Sequence, residues 1–206
     1  MVKKNSRDLV GYGAKGKKIS WPNNSKLALQ FVLNYEEGGE NSVLNGDKYS
    51  ETFLSEIIVA KAIKGRHISM ESIYEYGSKA GFWRLDKLFK EKKIPVTVFG
   101  VGLALKQNPE VCNAIKNGDY EIAAHSYRWI DYQDVKKSVE KKHMQQAIKT
   151  IKDIFGSRPL GWYTGRCSPN TRDLVFDDGG FLYDSDSYSD DLRYWEYRGK
   201  KKQLII

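Results

Sequence analysis

Residues 95–124, PVTVFGVGLALKQNPEVCNAIKNGDYEIAA, hold one complete strand-helix-strand unit. Val96 to Val101 is a β-branched apolar run set off by Pro95, the pattern of a buried strand. Asn108 then stands as a helix cap, and Pro109 takes the first turn, where its missing N–H costs nothing. Gly118 closes the helix. Tyr120 to Ala124 returns as a second short strand.

The same alternation extends in both directions. Upstream, Lys26 to Asn34 (KLALQFVLN) lies between the turn-prone PNNS and the Gly38–Gly39 pair and reads as the first buried core strand. SETFLSEIIVAKAI, residues 50–63, has helical spacing. GFWRLDKLFKEKK repeats it from Gly81 with Phe82, Leu85, Leu88 and Phe89 until Pro95 stops it. Downstream, a helical period runs from Asp134 to Phe155, Leu160 to Tyr163 reads as a strand, and NTRDLVFDDGG and FLYDSD repeat the cycle. Such alternation predicts a parallel α/β architecture, an open doubly wound sheet or a (β/α) barrel, between which periodicity does not choose. No internal repeat or interdomain linker is visible, and a chain of 206 residues fits one folded domain.

The formal net charge of +8 invites a polyanionic partner. The excess, however, gathers at Lys3, Lys4, Lys15, Lys17 and Lys18, at Lys200, Lys201 and Lys202, and at Lys90, Lys92 and Lys93. Neither zinc-finger spacing nor an RNA-binding aromatic signature accompanies it, so a solvated basic face is expected and a nucleic-acid partner is not. Cys112 and Cys167 make neither a disulfide framework nor a zinc-ligand pattern, and reduced thiols in a cytoplasm are the simplest reading. The N-terminus lacks the apolar core of a signal peptide, and no stretch approaches the ~18 apolar residues of a membrane span.

In both α/β architectures functional groups collect at the C-terminal ends of strands. Tyr35, Glu36 and Glu37 follow the first predicted strand, His125 and Trp129 follow YEIAA, Arg166 follows Leu160–Tyr163, and Asp184 and Asp186 lie at the end of FLYDSD. Adjacent carboxylates at a strand end point to opposite sides, so one of Glu36 and Glu37 can act as a general base; the alternative is an acidic loop that caps the barrel or pairs with Arg166. His125 suits either a structural or a catalytic role. The Arg166 guanidinium can anchor an oxyanion or neutralise the glutamates. Tyr35 and Trp129 abut the ionisable groups and are candidates for the pocket wall. Tyr74, Tyr76, Trp83, Tyr127, Trp162 and Tyr163 are numerous enough to line a pocket too, but most aromatics at such places are core. Cys167 has no His at a recognisable offset and does not read as a nucleophile. His143, on a helix, is expected at the surface.

Taken together, NYEEGGE, SMESIYEYGSKAGFWRL, PVTVF, YEIAAHSYRWIDY, RPLGWYTGR, PNTR and GGFLYDSDSYSDDLRYW resemble, in order, the motifs of the NodB-type polysaccharide deacetylase superfamily. They are most similar to its metal-independent allantoinase branch. The resemblance implies a distorted (β/α) barrel, incomplete here. It divides the chain into an N-terminal extension, residues 1–24, and a partial deacetylase domain, residues 25–206, that lacks the family's last strands and the motif carrying another catalytic His. Ordinary members carry an Asp-Asp pair and a His-x-x-x-His pair around a metal. The corresponding positions here are Glu36, Glu37, His125 and Trp129, and the loss of the second His leaves too few ligands for zinc or nickel.

The resemblance therefore implies no metal and no cofactor. It implies a C–N hydrolase that opens a cyclic ureide, with a small-molecule substrate, Glu36 or Glu37 activating water, His125 assisting proton transfer and Arg166 stabilising the oxyanion. Substrate binding would fall to Tyr35, Trp129, Asp184 and Asp186. A homo-oligomer or a complementing chain is expected to cover the unclosed sheet. An N-acetylated sugar as substrate, or an inactive binding module, are the alternatives. Ser126 stands where the branch usually has Gly, and Cys167 and Ser168 are further departures.

Overall fold

The computed structural model describes residues 7–57 and 60–206. Its centre is a seven-stranded sheet in the order β1-β2-β3-β4-β5-β7-β6. The strands are β1 (Phe31–Tyr35), β2 (Val96–Gly100), β3 (Glu121–Ala124), β4 (Gly161–Trp162), β5 (Tyr183–Asp184), β6 (Tyr194–Arg198) and β7 (Lys201–Ile205). β1 to β5 and β7 run parallel, and β6 turns back antiparallel on β7 at the far edge.

Strand order resolves the choice that periodicity leaves open. A doubly wound sheet reverses its order at a switch point, whereas each of β1 to β5 here is laid beside its predecessor in the same direction. This is the winding of a (β/α) barrel, and among the described residues the sheet does not close. β2 is buried along its whole length and packs with Leu105, Ile115, Ile151 and Trp162 in the main core, as a parallel strand covered on both faces should.

The helices are α1 (Ile68–Tyr76), α2 (Phe82–Lys92), α3 (Gly102–Gln107), α4 (Pro109–Asn117), α5 (Lys137–Phe155) and α6 (Thr171–Asp178). α4 begins as its sequence predicts: Asn108 Oδ1 accepts from Val111 N at 3.2 Å, Pro109 follows, and Gly118 ends the helix. α2 stops at Lys92 as Lys93 enters the left-handed region.

Three expectations are corrected. The first strand starts at Phe31, not Lys26, and among the described residues it is an edge strand paired only with β2; Leu27 and Leu29 before it and Val32 within it are exposed. The described part of residues 50–63 is not a helix. Leu54 lies at φ 69°, Thr52 Oγ1 donates to the Ala60 carbonyl at 2.6 Å, and Ser50 bridges Ile63, so side chains and cross-chain bonds take the backbone groups a helix needs. Ile58 and Val59 of that stretch, and residues 1–6 of the N-terminal extension with Lys3 and Lys4, lie outside the described residues. His143 is half-buried rather than on the open surface, its Nδ1 2.9 Å from the Tyr132 hydroxyl and its ring against Tyr127.

Candidate active site

Register places the site. Tyr35 pairs with Gly100, Gly100 with Ala124, Ala124 with Trp162, and Trp162 with Asp184, so the carboxyl ends of five strands share one level. The residues one step beyond, Glu36 on β1 and His125 on β3, therefore stand at the same height two strands apart. Neighbouring strands are ~4.8 Å apart, so a separation of two strands is about 10 Å, a gap that a Glu and a His reaching toward one another close.

His125 Nε2 lies 2.9 Å from Glu36 Oε1, and His125 Nδ1 lies 2.8 Å from the Tyr163 carbonyl. A carbonyl only accepts, so Nδ1 carries a proton and donates to Tyr163, and Nε2 is hydrogen-bonded to Glu36. Asn34 Nδ2 donates to the same Oε1 at 3.2 Å. The His125 ring is 1% exposed and stacks on Tyr163 at 4.9 Å, whereas the Glu36 side chain keeps 17% exposure. His125 is thus the orienting member of the pair and Glu36 the reachable one. Gly165, at φ 78°, passes so close that an added Cβ would sit 3.1 Å from His125 Cε1.

Glu37 points the other way, as period two at a strand end requires. It packs beneath Gly77, and Oε2 accepts from Glu36 N at 3.0 Å. Burial, with Glu36 and Glu40 nearby, raises its carboxyl to about 6. Tyr35 is on this side too: its hydroxyl is satisfied by Ser78 at 2.9 Å and Asn108 at 3.0 Å, and its ring packs edge-on against Phe82.

Arg166 belongs to a second group. Its guanidinium lies 4.0 Å from the Trp129 ring centroid and 5.1 Å from that of Phe53, Nη2 donates to the Trp129 carbonyl at 3.3 Å, and Glu51 is 3.5 Å away. Trp129 is buried and held by a bond from its N to the Gly39 carbonyl at 2.8 Å. Arg128 bonds the Gly39 and Glu40 carbonyls, so the loop after β3 is fastened to the loop after β1. Asp186 accepts from Thr164 N at 2.7 Å and Gly165 N at 2.9 Å and so shapes the loop that carries Arg166. Asp184 is buried, its carboxyl raised to about 6 by burial and by Asp186, and its Oδ1 accepts from Asp186 N. Neither aspartate bonds to the Glu36–His125 pair. Cys167 is raised by burial and by Asp186, which fits an inert thiol. Ser126 adopts φ 57°, the left-handed region, with Oγ 2.6 Å from the Tyr132 hydroxyl.

Between these groups stands Tyr74, on α1. Its ring meets Trp129 edge-on at 6.0 Å, and its hydroxyl, under the influence of Glu40, Glu36, Glu51 and Arg166, is buried without a hydrogen-bond partner among the described residues. The apolar spacing of α1 carries no sign of this, and only the sequence motif around Tyr74 draws the eye there. Tyr74, Glu37, Glu40 and Asn108 border a cavity of ≈ 410 Å³. A wider hollow of ≈ 1070 Å³ lies between residues 7–12 and 189–195, and neither it nor the smaller cavity is lined by Glu36, His125 or Arg166.

These donors do not suit a metal ion. Both nitrogens of His125 are engaged, Trp129 offers a ring packed among Phe53, Tyr74 and Arg166, and no group of three or more His, Cys, Asp and Glu among the described residues forms a ligand set. No helix among the described residues is long and apolar enough to cross a membrane.

Comparison with known proteins gives concordant matches. The family model described as polysaccharide deacetylase matches residues 64–181. A Schizosaccharomyces pombe protein named "Putative polysaccharide deacetylase" is 44% identical over 200 residues, covering 92% of this chain and 62% of its own length. The crystal structure of Puue allantoinase superposes with a TM-score of 0.93 at 52% identity, over 98% of this chain and 68% of that one. A probable polysaccharide deacetylase from Pseudomonas aeruginosa PAO1 superposes with the same TM-score at 54% identity, over 98% and 68% of the two chains. This chain thus spans about two thirds of the length of these relatives.

Proposed function

We propose that this chain, which belongs to the polysaccharide deacetylase family, hydrolyses an amide C–N bond of a cyclic ureide such as allantoin without a metal ion. The Glu36–His125 pair carries the reading. Tyr163 holds the His125 Nδ1 proton, so His125 can only trade its other proton with Glu36. His125 and Asn34 both engage Oε1 of Glu36, leaving Oε2 to take a proton from water.

The water oxygen then bonds to the ring carbonyl carbon, and charge develops on the carbonyl oxygen. Arg166, stiffened by Trp129 and Glu51, supplies the positive charge on that side. The C–N bond breaks as the proton held by the Glu36–His125 pair passes to the departing nitrogen, so water's two hydrogens end on the new carboxyl group and the amine side. Glu37 serves the loop rather than the water in this scheme, because it faces away from His125. Likeness to Puue allantoinase supports the substrate class.

Allantoin supplied to the purified chain in the presence of chelator is expected to yield allantoate. Glu36→Gln should lower the rate by about 10²–10⁴-fold, the usual worth of a positioned base. Saturating allantoin that gives no product with the folded chain overturns the proposal. The description of the matching family favours a second reading, N-deacetylation of a sugar amide. Metal-stimulated acetate release from chitooligosaccharide would select it.

A further inference from the structure

We propose that Tyr74 is a substrate-contacting residue whose phenol donates a hydrogen bond to the carbonyl oxygen of the bound ligand; this rests on the amide-hydrolase reading above and deepens it. A hydroxyl taken out of water without a partner is destabilising, and folded proteins leave few such groups. Tyr74 is one of those few here, its oxygen buried and unpartnered. It is not stranded in a featureless core: the residue borders the ≈ 410 Å³ cavity with Glu37, Glu40 and Asn108 and also meets Trp129 beside Arg166. Its ring is fixed edge-on to Trp129, which in turn carries the Arg166 guanidinium.

Burial and the charges around it keep the hydroxyl a donor. Glu40, Glu36 and Glu51 face it from the loops after β1, and Arg166 faces it from the loop after β4. Burial, and after it the three carboxylates against one guanidinium, hold the phenol in its neutral, donor form. Each carboxylate nevertheless lies outside hydrogen-bond reach. A ligand with a carbonyl oxygen aimed at Tyr74 and N–H groups aimed at the surrounding carboxylates answers every one of these groups, which is the donor and acceptor pattern of an amide or ureide.

Tyr74→Phe separates this role from a structural one, because it removes the hydroxyl and keeps the ring. The variant is expected to melt at the same temperature as the parent chain or above it, since an unsatisfied hydroxyl has gone. Its calorimetric affinity for hydantoin should fall about tenfold, and its kcat/KM on allantoin, with chelator present, about 10²-fold. A parent chain that binds and hydrolyses while Tyr74→Phe does so equally well overturns the inference alone. A variant that melts well below the parent assigns the hydroxyl to the fold and overturns it too. A parent chain that neither binds hydantoin nor opens allantoin removes the amide-hydrolase reading and this inference with it.

Discussion

Burial beneath Gly77 raises the Glu37 carboxyl from 4.5 to about 6, and the sign of the consequence is fixed by linkage. A carboxyl whose folded value lies above its unfolded one holds its proton more tightly in the folded state. Ionising it therefore destabilises the fold, fully so above about pH 6, and the penalty disappears below pH 4.5. Glu37→Gln should accordingly be more stable than the parent by up to ~2 kcal/mol at pH 8 and no different at pH 4. Urea denaturation at the two pH values measures it, and an equal difference at both would show that Glu37 is not the group responsible. Gly165 makes the complementary case. Its φ of 78° disfavours any side chain, and a Cβ would press on His125. Gly165→Ala is expected to lose ~1–2 kcal/mol of stability. If the proposed chemistry holds, it also loses at least tenfold in kcat, with little change in KM.

α1, the π turn Gly77–Gly81 and α2 form an unbroken helical run from Ile68 to Lys92. π turns of this kind are frequent at functional sites, and this one lays Gly77 directly over the Glu37 carboxylate. Gly77 has ordinary helical dihedrals, so helix propensity alone would make Gly77→Ala stabilising by up to ~1 kcal/mol. The overlap with Glu37 reverses that sign, to a loss of ~1–3 kcal/mol. Adding Glu37→Ala should recover most of it, a non-additivity that a double-mutant cycle reads directly. Additive effects would mean that the two residues do not press on one another. The long run also explains why only its second half is legible from apolar spacing. α2 carries Phe82 and Phe89 to the core, whereas α1 buries only Met70 and turns much of its surface to the solvent and the cavity. The mistaken helix at residues 50–63 has the opposite cause: helical spacing of Phe53, Leu54 and Ile57 without a core for them to face, since all three are exposed.

At the scale of the molecule, β1 and β6 each have one neighbour among the described residues, and their outer faces expose Val32, Trp195 and Tyr197. Unpaired edges of this sort are sites for another chain to add. A second copy or a complementing chain remains our proposal for what covers them. A net charge of +8 opposes self-association. Sedimentation velocity is therefore expected to show a dimer that grows with protein concentration and with salt, as screening shortens the repulsion. A monomer under every condition would reject self-association. The same view accounts for the N-terminal extension, whose described part returns to the far edge through Tyr12, its hydroxyl donating to the Arg193 carbonyl at 2.9 Å.

What the amino-acid sequence determined by itself is what local chemistry encodes. The β-branched run of β2, the Asn108 cap and Pro109 of α4, the short β3 and the succession of strand and helix all follow from dihedral preference, capping and apolar period. The motifs add the family and the positions of Glu36 and His125. Tertiary structure alone decided the rest, because the deciding distances join residues far apart in the chain. The single winding direction depends on which strand lies beside which. The hydrogen bond between Glu36 and His125 spans 89 residues. The burial that raises the Glu37 carboxyl depends on a helix turn laid over it, and the unsatisfied hydroxyl of Tyr74 exists only once loops from three strands have closed around it without reaching it.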